Sequence, residues 1–390
     1  LAAARSDDSE PGQILTALYA EVVAAYGERL PTSQPVVAAG RGRCDFYRHV
    51  DLPATYVPRS ELLAEIKAAL LAPAADGAAT ALTSAIKMDA LQGMGGIGKS
   101  VIARALCDDP DVQDAFPGGI LWAALGQTPN LVERLREWVE KLGGTVRSTA
   151  PTADTLKVEL QAALEGRNCL LILDDVWNKD DVGHFRPPEG SRLLLTTRDA
   201  GLAEDLGAAV LPIPVMDKAE ALDLLRRSIG AAHAHPSTVE QAAVVRRLGY
   251  LPLAIMLAGP QLRATAADQW LREFDAYELE LQRPQNEHDS LAWTFERSLR
   301  GLPEQKRRLY ASLAVFPEDE PLHPGAVARL WAGLTGLNDK QSGRLLHELV
   351  DRALVQQQVL RGDGAGDGAG GQLVLHDLVR LQPEDEDVLG

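Results

Sequence analysis

The chain has 390 residues, 46% of them hydrophobic and 24% charged, with a formal net charge of −16. That length exceeds one ordinary core and implies about two to four domains of a soluble globular protein, while the negative charge opposes non-specific attraction to nucleic acid or anionic lipid. No apolar stretch approaches the ~20 residues that span a bilayer, and three scattered cysteines (Cys44, Cys107, Cys169) make no disulfide framework, which favours a reducing cytoplasm.

In chain order, residues 1–50 form an N-terminal segment in which "PGQILTALYAEVVAAYGERL" has helical spacing and "PTSQPVVAAGRGRCD" reads as linker. Over residues 51–213 short apolar runs alternate with helical patterns, as in a parallel α/β sheet. The runs are Ile86 to Leu91, Ile120 to Leu125, Cys169 to Leu173, Arg192 to Thr196 and Ala209 to Pro212, so five strands are expected, with Cys169 as a buried strand thiol. Between them, "LVERLREWVEKL" and "DTLKVELQAAL" carry helical periodicity.

After "LPIPV" the strand-like runs stop. Residues 214–288 read as successive helices beginning at "DKAEALDLLRRSI", an all-α domain. Residues 289–381 read as three helices followed by "DRALVQQQVL", the glycine-rich "RGDGAGDGAGG" and "GQLVLHD", the order of a winged helix with a mobile hairpin tip. Residues 382–390 are an acidic linker, and this end and the start at Leu1 both read as cuts through a longer protein. His233 and His235 in "AAHAHPS" read as a solvated loop, since further metal ligands are not near them in sequence.

The chemistry concentrates in three strand ends. "LQGMGGIGKSVIARAL" joins a strand to a helix through G-x-x-x-x-G-K-S. Gly93 and Gly98 permit the tight turn that points backbone N–H groups and a helix N-terminus at phosphate oxygens. Lys99 supplies a cation for the β- and γ-phosphates, and the Ser100 hydroxyl can ligate Mg2+. About 75 residues downstream, "CLLILDDVW" ends a buried strand in two carboxylates. Parallel strands deliver such groups to the ligand-binding edge, so Asp174 is placed to hold Mg2+ and Asp175 to orient or deprotonate water. A third strand ends in "LLLTTRD", where Arg198 would detect a γ-phosphate if that strand joins the same sheet.

As an ordered set, "GMGGIGKS", "LLILDDVW", "GSRLLLTTR", "LGYLPLAI" and "VLHDLV" resemble the motifs of NB-ARC domains in the signal-transduction ATPases with numerous domains (STAND), found in plant resistance proteins and the apoptotic protease-activating factor. "VPRSEL", "FPGGILWAAL" and "SLAVFPEDEPLHPGAVARLW" extend the likeness over about residues 55–380. The composition suits a bacterial member. The resemblance implies a P-loop NTPase domain with a five-stranded parallel sheet, an all-α domain and a winged helix.

Residue by residue, it implies that Val57, Pro58 and Arg59 close over adenine. Gly93, Gly95, Gly96, Ile97, Gly98, Lys99, Ser100 and Val101 would wrap the phosphates. Asp174 would serve Mg2+ with Ser100, Asp175 the attacking water, and Arg198 the γ-phosphate. Pro252 and Leu253 would press on adenine, and His376 would reach the β-phosphate of ADP. Leu375 and Tyr250 stand where plant members usually have other residues, and an arginine finger from a neighbour has no assignable residue.

The implied function is an ADP/ATP switch, closed with ADP and opened by ATP to self-associate, at most a slow ATPase, in apoptosis-like or immune signalling. Effector and sensor domains would lie outside this chain. The competing readings are a steady-state ATPase and an ATP-regulated winged-helix transcription regulator. Against the second, "NDKQSGRLLHELVDR" has no basic recognition stripe.

Overall fold

A computed structural model describes residues 43–47, 52–72, 88–281, 287–316, 322–358 and 372–375 of the chain. The helix expected near residues 11–30, the glycine-rich tip, His376 and the linker 382–390 lie outside these residues. The chain divides into two compact units, one drawn from Val36–Ala221 with Tyr250–Leu253, the other from the remainder.

The first unit is built on a parallel five-stranded sheet of β1 (Met88–Gln92), β2 (Gly119–Gly126), β3 (Cys169–Val176), β4 (Arg192–Thr197) and β5 (Ala209–Pro212). Spatial order is β2-β3-β4-β1-β5. The apolar runs are continuous rather than alternating because both faces are covered, as parallel sheets require. In β3 every residue but Asp175 is buried. Leu171 pairs with Leu193, and Leu193 with Met88, so leucine and methionine run across the sheet at one level. Helices Leu131–Lys141 and Ala153–Leu164 add Leu135, Trp138, Val139, Leu156, Leu160 and Leu164 to this core. Trp138 meets the Phe185 ring edge-on at 5.1 Å and gives its N–H to the Trp122 carbonyl at 3.2 Å, so its one polar atom is satisfied in the core.

Residues 43–47, partly read as linker, instead extend the sheet. Phe46 bridges Leu121 in parallel, taking the Trp122 N–H at 2.9 Å and donating to the Ile120 carbonyl at 2.7 Å. The sequence conceals this because so short a segment shows no periodicity; the free edge of β2 recruits it.

In the second unit the described elements are helices up to Asp351, including Thr238–Arg247, Ala267–Leu281, Glu287–Arg300, Glu304–Ser312, Pro324–Thr335 and Asp339–Asp351. Ser237 with Glu240 and Asn338 with Gln341 form capping boxes at two of their starts. The rings of Trp270, Phe274 and Trp293 pack within 5.6 Å of one another, and Tyr310 donates its hydroxyl to the Leu354 carbonyl at 3.2 Å. Strands β6 (Val355–Gln358) and β7 (Gln372–Leu375) follow as an antiparallel pair. Among the described residues no helix is long and apolar enough to cross a membrane.

Candidate functional site

The sheet order decides where the chemistry meets. With β4 between β1 and β3, the carboxyl ends of these three strands lie side by side. There the chain leaves β1 into the glycine loop, β3 ends in Asp174, Asp175 and Val176, and β4 ends in Thr197 just before Arg198. This is the ligand-binding edge of an open parallel sheet, at its topological switch point.

The loop from Gly93 turns into the helix Lys99–Cys107. Gly98 caps that helix at φ 96°, and Gly96 sits at φ 78°, a backbone region that side chains disfavour. A Cβ on Gly96 would come within 2.8 Å of the Leu253 Cβ, and the Leu253 N–H donates to the Gly96 carbonyl at 3.2 Å. A Cβ on Gly95 would meet the Arg198 guanidinium at 3.1 Å. Lys99 is buried and gives its ammonium to the carbonyls of Gly93 and Met94 at 2.8 and 3.0 Å. Ile97 is buried beneath the loop and Val101 half-buried on the helix.

Asp174 forms the centre of the carboxylate group. Its Oδ1 accepts from the Ser100 hydroxyl at 2.8 Å and from the Thr196 hydroxyl at 2.5 Å. Thr196 in turn accepts the Asp175 N–H at 2.9 Å. Burial pushes the Asp174 carboxyl up to about 6, against the opposing pull of both hydroxyls and of Lys99, with Asp175 pushing the same way as burial. The converging hydroxyl and carboxylate are hard oxygen donors next to a phosphate-type loop, a set that suits Mg2+. Ser100 and Asp174 would hold it.

Asp175 has φ 51°, a strained value for a residue with a side chain. Its carboxylate accepts the Trp177 indole N–H at 2.8 Å on Oδ2 and faces the Arg198 Nε at 3.6 Å on Oδ1. The Arg198 guanidinium lies over the Trp177 ring, 5.1 Å from its centroid.

The segment read as an adenine cover is in the same unit. Val57 is buried, Pro58 exposed, and Arg59 is turned inward. Arg59 donates to the carbonyls of Pro214 and Val215, each at 2.9 Å, and to Glu220 at 3.1 Å. Pro252 and Leu253 are half-buried beside the loop through the Leu253–Gly96 bond. Thus Gly93 to Val101, Asp174, Asp175, Arg198 and Leu253 are brought together, whereas His376 lies outside the described residues. Motif spacing assigned no role to Trp177 and no contact to Thr196. The register Leu173 to Leu195 could have revealed the second, since it sets Asp174 beside Thr196.

Residues 79–235 match the model of the NB-ARC domain. The chain is 29% identical over 283 residues to an apoptotic protease-activating factor of Danio rerio, spanning 67% of this chain and 22% of that protein. It is 28% identical over 348 residues to the regulatory protein AfsR of Streptomyces griseus, spanning 85% of this chain and 32% of the relative. The chain therefore spans less than two thirds of either relative's length. In fold it is similar to a STAND protein with a tetratricopeptide repeat sensor from Pyrococcus horikoshii, with a TM-score of 0.51 at 17% identity over 87% of this chain and 44% of that one.

Proposed function

Because this chain carries an NB-ARC domain of the STAND class of P-loop NTPases, we propose that it is an adenine-nucleotide switch, held inactive with ADP and opened by exchange for ATP. The observation that carries this reading is the convergence of Ser100 and Thr196 on Asp174 beside the buried Lys99 and the glycine loop. Gly95, Gly96 and Gly98 give backbone N–H groups room to face phosphate oxygens, and Lys99 exchanges its loop carbonyls for them. Mg2+, when bound, would neutralise phosphate charge, and Ser100 and Asp174 would hold it. In this reading Asp175, whose carboxylate faces Arg198, would serve the attacking water, and Arg198 the terminal phosphate.

The Leu253–Gly96 bond supports the regulatory part of the reading. It ties the start of the helix Pro252–Ala264 to the phosphate loop, so the state of that loop is felt where the helix begins. A shift from mostly closed to mostly open needs about 5 kcal/mol of differential binding. Charge-assisted bonds at about 1.5–3 kcal/mol each reach that only if several change together. Opening would expose surfaces for self-association. The helices from Glu287 with the β6–β7 hairpin would form the winged helix, whose His376 would complete the ADP contact.

The test is to purify the protein without added nucleotide, denature it and identify what is released. Stoichiometric ADP is expected, along with loss of retention in His376→Ala. An empty protein that hydrolyses ATP through many turnovers would replace the switch by a steady-state ATPase.

A further inference from the structure

Five of the six tryptophans of the chain are buried, whereas Trp177 is 42% exposed and fills no core. It follows the end of β3 as Arg198 follows the end of β4, and the Thr197 hydroxyl donates to the Val176 carbonyl at 2.9 Å. The residues before each are thus bonded side by side. Asp175 is fixed by the Thr196 hydroxyl, which accepts its N–H at 2.9 Å. Its carboxylate takes the indole N–H on Oδ2 and faces the Arg198 Nε on Oδ1, while the guanidinium lies over the indole ring. The far end of that guanidinium reaches the phosphate loop, for a Cβ on Gly95 would stand 3.1 Å from Nη1.

We propose that Trp177 is a positioning residue that holds the Arg198 guanidinium against the phosphate loop, ready for a nucleotide phosphate. This rests on the nucleotide-switch reading above and adds to it the residue that orders its arginine. An unsupported arginine side chain samples many rotamers, and fixing it at the moment of binding weakens affinity. Here the negative face of the ring holds the cation, the Asp175 carboxylate meets its near nitrogen, and Gly95 leaves the room that its far nitrogen occupies. The ordering is therefore in place before a phosphate arrives. Trp177 acts through Arg198 and need not touch nucleotide itself.

The experiment uses the chain stripped of nucleotide, with ADP and a non-hydrolysable ATP analogue titrated by calorimetry in the presence of Mg2+. Arg198→Ala identifies which of the two nucleotides Arg198 helps to bind. Trp177→Ala is expected to weaken that same nucleotide about two- to fivefold. Trp177→Phe, which keeps an aromatic face, should restore most of the loss. In the Arg198→Ala background, Trp177→Ala should change neither affinity, because the residue it positions is gone. Unchanged affinities in Arg198→Ala or in Trp177→Ala overturn the proposal. So does a Trp177→Ala loss that persists without Arg198, or a Phe variant that binds as weakly as the Ala variant. If wild type binds neither nucleotide, the switch reading fails and the proposal with it. Wild-type binding with no Trp177 effect removes the positioning role alone.

Discussion

The Ser100 hydroxyl donates to Oδ1 of Asp174 at 2.8 Å, across 74 residues of sequence and from the first turn of a helix to the end of a buried strand. One contact thus joins the loop that would hold phosphates to the carboxylate that would hold Mg2+. Thr196 approaches the same oxygen from β4. Replacing Thr196 by Val removes this outer partner while preserving shape. Mg2+-dependent nucleotide affinity should fall about 10- to 100-fold, with Mg2+-independent binding unchanged, as read by calorimetry with and without chelator.

The burial of Asp174 makes that Mg2+ dependence a function of pH. Its carboxyl is raised from 3.8 to about 6, so it is neutral below that pH and charged above it. Metal binding needs the charged form, so Mg2+-dependent affinity should be full at pH 7.5 and fall about tenfold per unit below pH 6. Stability of the metal-free protein runs the other way. A folded value above the unfolded one contributes stability below 3.8 that is lost as pH rises through about 6. Asp174→Asn should abolish that loss, so its thermal midpoint without Mg2+ should exceed wild type at pH 8 and approach it at pH 4. A variant less stable than wild type at pH 8 would contradict the assignment.

Two glycines of the phosphate loop should respond differently to the same methyl group. Gly98 has open space where a Cβ would stand and only its φ of 96° to object, so Gly98→Ala should cost about 1–2 kcal/mol in denaturant unfolding. Gly96 adds a steric conflict with Leu253 to a φ of 78°, and Gly96→Ala should also displace the Leu253 contact. Combining it with Leu253→Gly, which removes the conflicting Cβ, should recover part of the stability that the Gly96 methyl costs. No recovery would mean that backbone strain alone decides.

Arg59 is a clamp whatever else its neighbours do. Arg59→Ala leaves the carbonyls of Pro214 and Val215 and the Glu220 carboxylate without its guanidinium, a loss of about 2–4 kcal/mol. Arg59→Lys should restore little, because a single ammonium cannot reproduce the planar fork that spans two adjacent carbonyls. Chemical denaturation midpoints separate the three proteins.

How far the sequence carried depended on whether a feature was local. The strands were legible because burial on both faces makes each a continuous apolar run, and β4 and β5 end within a residue of expectation. The end of β3 was read short at Leu173, since pairing continues through Asp174 and Val176 to Ala124 and Gly126, where charge hides the extended backbone. The glycine loop and paired carboxylates were legible as motifs with fixed spacing. The inward turn of Arg59 and the Asp175–Trp177–Arg198 arrangement were not, because each joins side chains whose partners are set by strand order rather than spacing.

The pairing of Phe46 with Leu121 has a consequence for assembly. A parallel sheet with a bare outer strand offers a template onto which another chain can add. Here the N–H of Trp122 and the carbonyls of Gly118 and Ile120 are already taken from within the same chain. At the opposite margin β5 has four residues and ends in Pro212, which has no N–H to give. Among the described residues the edge of β2 is thus covered by a segment of its own chain and the edge at β5 is short and ends in proline, two features that disfavour the addition of a further strand.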